Sequence, residues 1–183
     1  MNETDVTVAL GEVVTFIRKA TAPEKIPESS QYVLLEHVMG RTGQVLVARA
    51  GDVEIKSNKF AFEPGDVLFG KLRPGLRKCC VASEAGYCST DIVPLRPMED
   101  HSSFYLAAVL RSDRFASQVE RLIGGANLPR VNVKELLELT IRWPDSDERK
   151  RLDQLAQMAV EVRQETLRML SNVDDLEASI SRA

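Results

Sequence analysis

The chain has 183 residues, 44% of them hydrophobic and 28% charged, and a formal net charge of −3, which suits one soluble domain of about 140 residues plus a helical arm. No apolar run approaches the ~18 residues of a membrane span, and the polar, acidic start Met1-Asn2-Glu3-Thr4-Asp5 is not that of a signal peptide, so a cytoplasmic protein is expected. Cys79, Cys80 and Cys88 lie in an apolar neighbourhood and read as buried thiols; adding His37 and His101 gives no zinc-like spacing, and no metal is predicted.

Val6 to Lys19 carries apolar residues at Val6, Val8, Leu10, Val13, Val14, Phe16 and Ile17, predicting a short strand followed by a short helix or second strand. Ala20 to Ser30 is a polar loop with Pro23 and Pro27. Tyr32-Val33-Leu34-Leu35 predicts a buried strand, and His37 to Gly43 a turn bounded by glycines. Val45-Leu46-Val47 is a further strand; Gly51-Asp52 opens a loop, and Ile55 to Phe62 alternates as a strand. The Pro-Gly pair marks a turn over Glu63-Pro64-Gly65-Asp66. A core strand over Val67 to Leu72 ends at Arg73-Pro74-Gly75, and short strands follow at Lys78 to Ala82 and Asp91 to Leu95. Turns spaced roughly 8 to 12 residues apart make the chain up to Pro97 a curled, mostly β unit.

Beyond Pro97 the spacing becomes helical. Leu106, Val109, Leu110, Phe115, Val119 and Leu122 fit two helices broken near Ser112-Asp113. Gly124 to Arg130 is a loop, Val133 to Leu139 a short helix and Thr140 to Trp143 a last strand. Pro144 and Asp145 then stop and restart the chain, with Asp145 as N-cap and Glu148 completing a capping-box pattern. From there Leu152, Leu155, Ala159, Val162, Thr166, Met169, Val173, Leu176 and Ile180 repeat at steps of three and four, the seam of a coiled coil. About 35 residues make a rod of roughly 50 Å, longer than a domain this size covers, so the helix needs a partner. The expected fold is α+β: a curled domain over residues 1–144 and one long helix over 145–183.

Charge is unevenly spread. The arm from Asp145 onward has nine acids and six bases, leaving the remainder neutral. Within that remainder, Lys56 to Lys78 has six bases against Glu63 and Asp66, and Arg111 to Lys134 has five against Asp113 and Glu120. Such basic segments are compatible with a DNA-reading face.

Three segments together resemble the target-recognition half of a type I restriction-modification specificity subunit. They are Ser57-Asn58-Lys59 with Gly65 to Pro74, the stretch Ser89 to Pro97 ending in Leu95-Arg96-Pro97, and the run from Phe104 through Gly124-Gly125 and Arg130-Val131 to Trp143-Pro144 and the helix. The resemblance spans almost the whole chain. It implies a non-catalytic subunit that binds double-stranded DNA and delivers an adenine methyltransferase, with a restriction subunit as a possible further partner. S-adenosylmethionine, ATP and Mg would belong to those partners, and no cofactor to this chain. Members of the family resemble two recognition domains joined by antiparallel helices. One copy here implies a homodimer through the seam residues, reading a symmetric split target.

Major-groove reading uses Arg toward guanine and Asn or Gln toward adenine, whereas phosphates take Lys, Arg or backbone amides. The candidates for DNA contact are Arg41, Lys56, Asn58, Lys59, Lys71, Arg73, Arg77, Lys78, Asn127 and Arg130. Lys71, Arg73 and Arg77 lie in a motif shared among family members with different targets, which points to phosphate or structural roles; Tyr87 and Tyr105 read as core or rim. Two rival readings follow from other features. Glu54-Ile55-Lys56 after Asp52 has the spacing of Mg-dependent nucleases, but no Asp lies between Val6 and Gly51 to supply the first acid. An assembly or inhibitor protein would use the helix to occupy a methyltransferase without reading DNA.

Overall fold

The run Val67-Leu68-Phe69-Gly70 is apolar throughout because both of its faces are covered. In the computed structural model, which describes residues 6–46, 48–100, 102–123 and 128–180 except the side chains of 176–179, it forms strand β7 (Val67–Gly70) at the centre of the domain. Alternate side chains serve two cores: Val67 and Phe69 enter one beneath the helices, and Leu68 enters a second with Val33, Phe62, Cys88 and Ile92. Neighbouring β10 (Ile92–Pro97) and β8 (Cys79–Val81) divide in the same way, with Val93, Leu95 and Cys79 on the helix side and Ile92 and Cys80 opposite. With β2 (Val14–Phe16) they make an antiparallel sheet in the order β2-β10-β7-β8.

The second sheet has the order β3-β6-β9-β4-β5, from β3 (Ala20–Thr21), β4 (Gln31–Val33), β5 (Ala48–Arg49), β6 (Lys59–Phe62) and β9 (Gly86–Cys88). β4 and β9 run parallel and the other pairs antiparallel. Gly86 lets them approach: a β-carbon there would stand 2.5 Å from the Gln31 carbonyl oxygen.

Three of these strands are absent from the sequence reading, β3, β9 and β5, the last lying just past the predicted Val45-to-Val47 strand. β3 occupies two residues of the predicted polar loop, and β9 is only three residues between two predicted strands, too few to show alternation. The predicted strand over Ile55 to Phe62 is ordered only as β6. Val45 makes a single bridge to Val38, and the predicted Tyr32-to-Leu35 strand gives way after Val33 to a 3-10 turn over Leu35–His37.

Ser103–Arg111 (α1) and Asp113–Leu122 (α2) break where predicted, because Ser112 Oγ accepts the Phe115 N–H at 3.2 Å and caps α2. A short α3 (Val133–Glu138) precedes β11 (Thr140–Trp143), which pairs antiparallel with β1 (Val6–Ala9). The long α4 then runs over Ser146–Ile180. Asp145 Oδ1 accepts the N–H groups of Asp147 and Glu148 at 3.0 and 2.9 Å, but the capping box stays open, because the Glu148 carboxylate is taken by Arg142 at 2.7 Å.

The root of α4 is bolted to the domain. Arg149, 4% exposed, lies over the Trp143 ring at 4.6 Å, donates to the Pro144 carbonyl at 2.8 Å and pairs with Glu99. One turn on, the buried Asp153 accepts the Tyr105 N–H at 2.8 Å and caps α1 across 48 residues of sequence. Leu152 packs on the domain core, whereas every residue over 161–175 is exposed.

Candidate nucleic-acid interface

The strand registers bring the predicted contact residues toward one edge. Cys88 at the end of β9 lies opposite Phe60, and Ile92 at the start of β10 lies opposite Gly70. The segment between them therefore adjoins both Lys59 at the start of β6 and Lys71 after β7. Lys71 N–H donates to the Asp91 carbonyl at 2.9 Å, and Leu72 bridges to Arg130. Arg73 N–H donates to the Pro129 carbonyl at 2.8 Å, and Arg41 N–H to the Arg77 carbonyl at 3.1 Å, while Gly40 bridges to Lys78.

Three residues other than glycine have positive φ among the described residues, and all are arginines of this edge: Arg41 at 65°, Arg73 at 48° and Arg77 at 53°. The left-handed region disfavours a β-carbon, so each turn is held against a local cost of about 1 kcal/mol. Arg41 and Arg73 are exposed, and among the described residues no carboxylate pairs with either or with Lys71.

Other candidates are occupied. Lys59 is only 8% exposed; its Nζ donates to the Ser57 carbonyl and hydroxyl oxygens at 2.7 and 2.8 Å, and burial pulls its pKa below the usual ammonium range. That corrects its placement as an open contact residue: it closes its own turn. Lys78 Nζ donates to the Leu35 carbonyl at 2.8 Å, and Arg77 pairs with Asp113. Arg130 Nε donates to Asp91 at 3.0 Å, a hydrogen bond that raises the guanidinium pKa. Lys56 pairs with Glu54 at 2.9 Å, both far out in solvent, Asn58 is exposed, and Asn127 lies outside the described residues.

Asp52, the acid of the nuclease spacing, accepts the Arg49 N–H at 3.1 Å instead of facing Glu54 and Lys56. Tyr105 is buried, with its hydroxyl donating to the Arg142 carbonyl at 2.8 Å, and Tyr87 packs against the second sheet's outer cluster.

On the helix, Leu155, Val162, Met169 and Ile180 are 61%, 65%, 59% and 67% exposed, Val173 is half exposed, and Ala159 and Thr166 are exposed. Thr166 Oγ1 donates to the Val162 carbonyl at 2.8 Å, which satisfies the one polar group of the seam within its own helix. Leu152, which the sequence places in the seam, packs inward on its own domain instead; the Leu176 side chain lies outside the described residues.

No protein-family model matches the chain. Over 130 residues it is 27% identical to the type I restriction enzyme EcoDI specificity subunit of Escherichia coli, a match covering 69% of this chain and 29% of that one. The HsdS subunit from Thermoanaerobacter tengcongensis superposes on 97% of the chain and 48% of its own length, with a TM-score of 0.71 at 21% identity. The chain resembles half of a type I specificity subunit. A type I specificity subunit from M. genitalium gives a TM-score of 0.61 at 13% identity over 98% of this chain and 44% of its own. This chain thus spans about half the length of the specificity-subunit structures it matches, and under a third of the E. coli subunit.

The structure also says what two of the segments that carry the resemblance do. Asp66 of the Gly-Asp segment and Arg96 of the Leu-Arg-Pro segment form a two-pronged ion pair at 2.8 and 3.0 Å, with Glu63 a third partner at 2.8 Å. Asp66, 1% exposed, also accepts the Glu63 N–H at 2.8 Å. Both segments therefore lock the turn before β7 to the end of β10.

Proposed function

We propose that this chain is a sequence-specific, non-catalytic DNA-recognition subunit of a type I-like restriction-modification system. It pairs with a second copy through α4 and directs an adenine methyltransferase, with or without a restriction subunit, to a split DNA target. S-adenosylmethionine, ATP and Mg belong in this reading to the partner subunits.

The observation that carries it is the seam of Leu155, Val162, Met169, Val173 and Ile180 standing in solvent on a helix whose outer half touches little of its own domain. Isolated apolar stripes of this length are covered in working proteins. The unpaired Arg41, Lys71 and Arg73 supply the DNA-facing half of the reading.

Light scattering on the full chain and on Val162→Glu tests the assembly. A dimer that falls to monomer in the variant is expected; a monomeric parent at micromolar concentration refutes the homodimer. Binding of the parent to duplex DNA that weakens steeply with salt is expected alongside, and a protein with no duplex affinity at low salt would return the chain to the assembly or inhibitor reading.

A further inference from the structure

The turn Arg41–Gln44 is the meeting point of three elements distant in sequence. Besides the Arg41 bond to Arg77, the Thr42 carbonyl accepts from Arg163 of α4 at 3.2 Å. Gly43, at φ +82°, lies flat against the Arg111 guanidinium: a β-carbon there would sit 2.7 Å from Nη1 and 2.8 Å from Cζ. Arginines 41, 77, 111 and 163 therefore surround one four-residue turn, and the single acid paired within this group is Asp113, on Arg77.

Arg111 is the unusual member. It is 9% exposed at the end of α1, and Nη1 donates to the Cys79 carbonyl at 3.0 Å. Among the described residues no carboxylate pairs with it, although buried charges are normally paired. Two further donors are buried there without an acceptor in the structure: the side-chain amide nitrogen of Gln44, which is 8% exposed, and Nε of Arg77. Positive charge held in place behind the turn and short of carboxylates matches an anion resting against the turn's exposed side. Buried behind the turn, Arg111 supplies a fixed positive charge, and the exposed Arg41 and Arg163 beside it are the groups that can touch a backbone phosphate.

We propose that the Arg41–Gln44 turn, with Arg77, Arg111 and Arg163, is a phosphate clamp for the DNA backbone, held jointly by the recognition domain and the long helix. This rests on the DNA-recognition reading above. The exposed Asp113 competes with the phosphodiester for Arg77.

The test is binding of the full-length protein to a mixed-sequence duplex by fluorescence anisotropy across a salt series. Arg41→Ala and Arg163→Ala change exposed side chains and leave the fold intact; each is expected to lower affinity several-fold and to reduce the slope of log affinity against log salt by about one. Asp113→Asn is expected to tighten binding several-fold. Arg111→Lys keeps the charge and is expected to retain more affinity than Arg111→Gln, with circular dichroism checking the fold of both. If the parent binds with a steep salt slope that Arg41→Ala, Arg163→Ala and Asp113→Asn all leave unchanged, the clamp is wrong while the DNA reading stands, and the cluster faces an acidic protein surface. If the parent shows no salt-dependent duplex binding, the DNA reading falls and the clamp with it.

Discussion

Asp153 offers a quantitative test of how the long helix is joined to the domain. The Tyr105 N–H belongs to the first turn of α1, where no carbonyl of the same helix can accept it; the first such bond in α1 runs from Leu106 to Ser102. Ser102 would be the natural cap, but its hydroxyl is turned back to the Glu99 carbonyl at 2.5 Å. Asp153 takes its place from the neighbouring helix, at 2.8 Å and 6% exposure. Replacing it by Ala strands a buried N–H, costing about 1–3 kcal/mol, and removes a charge at a helix N-terminus worth about 0.3–1 kcal/mol, so the expected loss is about 2–3 kcal/mol. Asp153→Asn keeps an oxygen acceptor and loses only the charge, about 1 kcal/mol. Urea unfolding should therefore rank parent above Asn above Ala with a common slope. An Ala variant within about 0.5 kcal/mol of the parent, or equal losses in the two variants, would refute the capping argument.

Three further outcomes are expected. Burial pushes the Cys79 thiol and the Tyr32 hydroxyl up to about 12. Both groups then hold their protons in the folded state after the unfolded chain has begun to lose them, so stability is full below pH ~9 and falls by about 1.4 kcal/mol per group per pH unit once each unfolded pKa is passed, until about pH 12; denaturant midpoints at pH 8, 9.5 and 10.5 check this, and Ellman's reagent at pH 8 should find no reactive thiol before denaturation. Arg96→Met leaves the Asp66 carboxylate buried without its partner and should cost about 2–3 kcal/mol after allowing for solvent around Arg96; adding Asp66→Asn should cost less than the sum of the single changes by at least about 1 kcal/mol in a double-mutant cycle. Gly86→Ala should cost about 2–3 kcal/mol, because its β-carbon meets the Gln31 backbone, whereas Gly75→Ala, with nothing within 4 Å, should stay within about 0.5 kcal/mol by thermal melting.

The readable parts of this fold are those whose signal is periodic or chemical over several residues. The α4 seam, the break at Ser112 and the buried run Val67–Gly70 each leave such a trace. β3 and β9 leave none, since two or three residues cannot show a period, and β9 exists because Gly86 lets its backbone approach β4. Charge proved the poorest guide at the site. Lys59 and Arg130 look in sequence like Arg41 and Arg73, but the first closes its own turn on Ser57 and the second is held by Asp91, 39 residues earlier. Such pairings belong to the tertiary fold. Arg111 went unassigned because an arginine at a helix end reads as solvated; only its contact with Gly43 sets it apart.

The bolted root of α4 has a mechanical consequence. Beyond Arg163, whose bond to the Thr42 carbonyl is the outermost contact described between helix and domain, the helix to residue 180 is a lever of about 25 Å, and a 10° tilt at that point would sweep the tip through about 4.5 Å. That exceeds the ~3.4 Å step between successive base pairs. In the proposed dimer the distance between the two half-sites is measured by these levers. The stiffness of the anchors at Arg149, Asp153 and Arg163 therefore sets how strictly the spacing of the target is enforced.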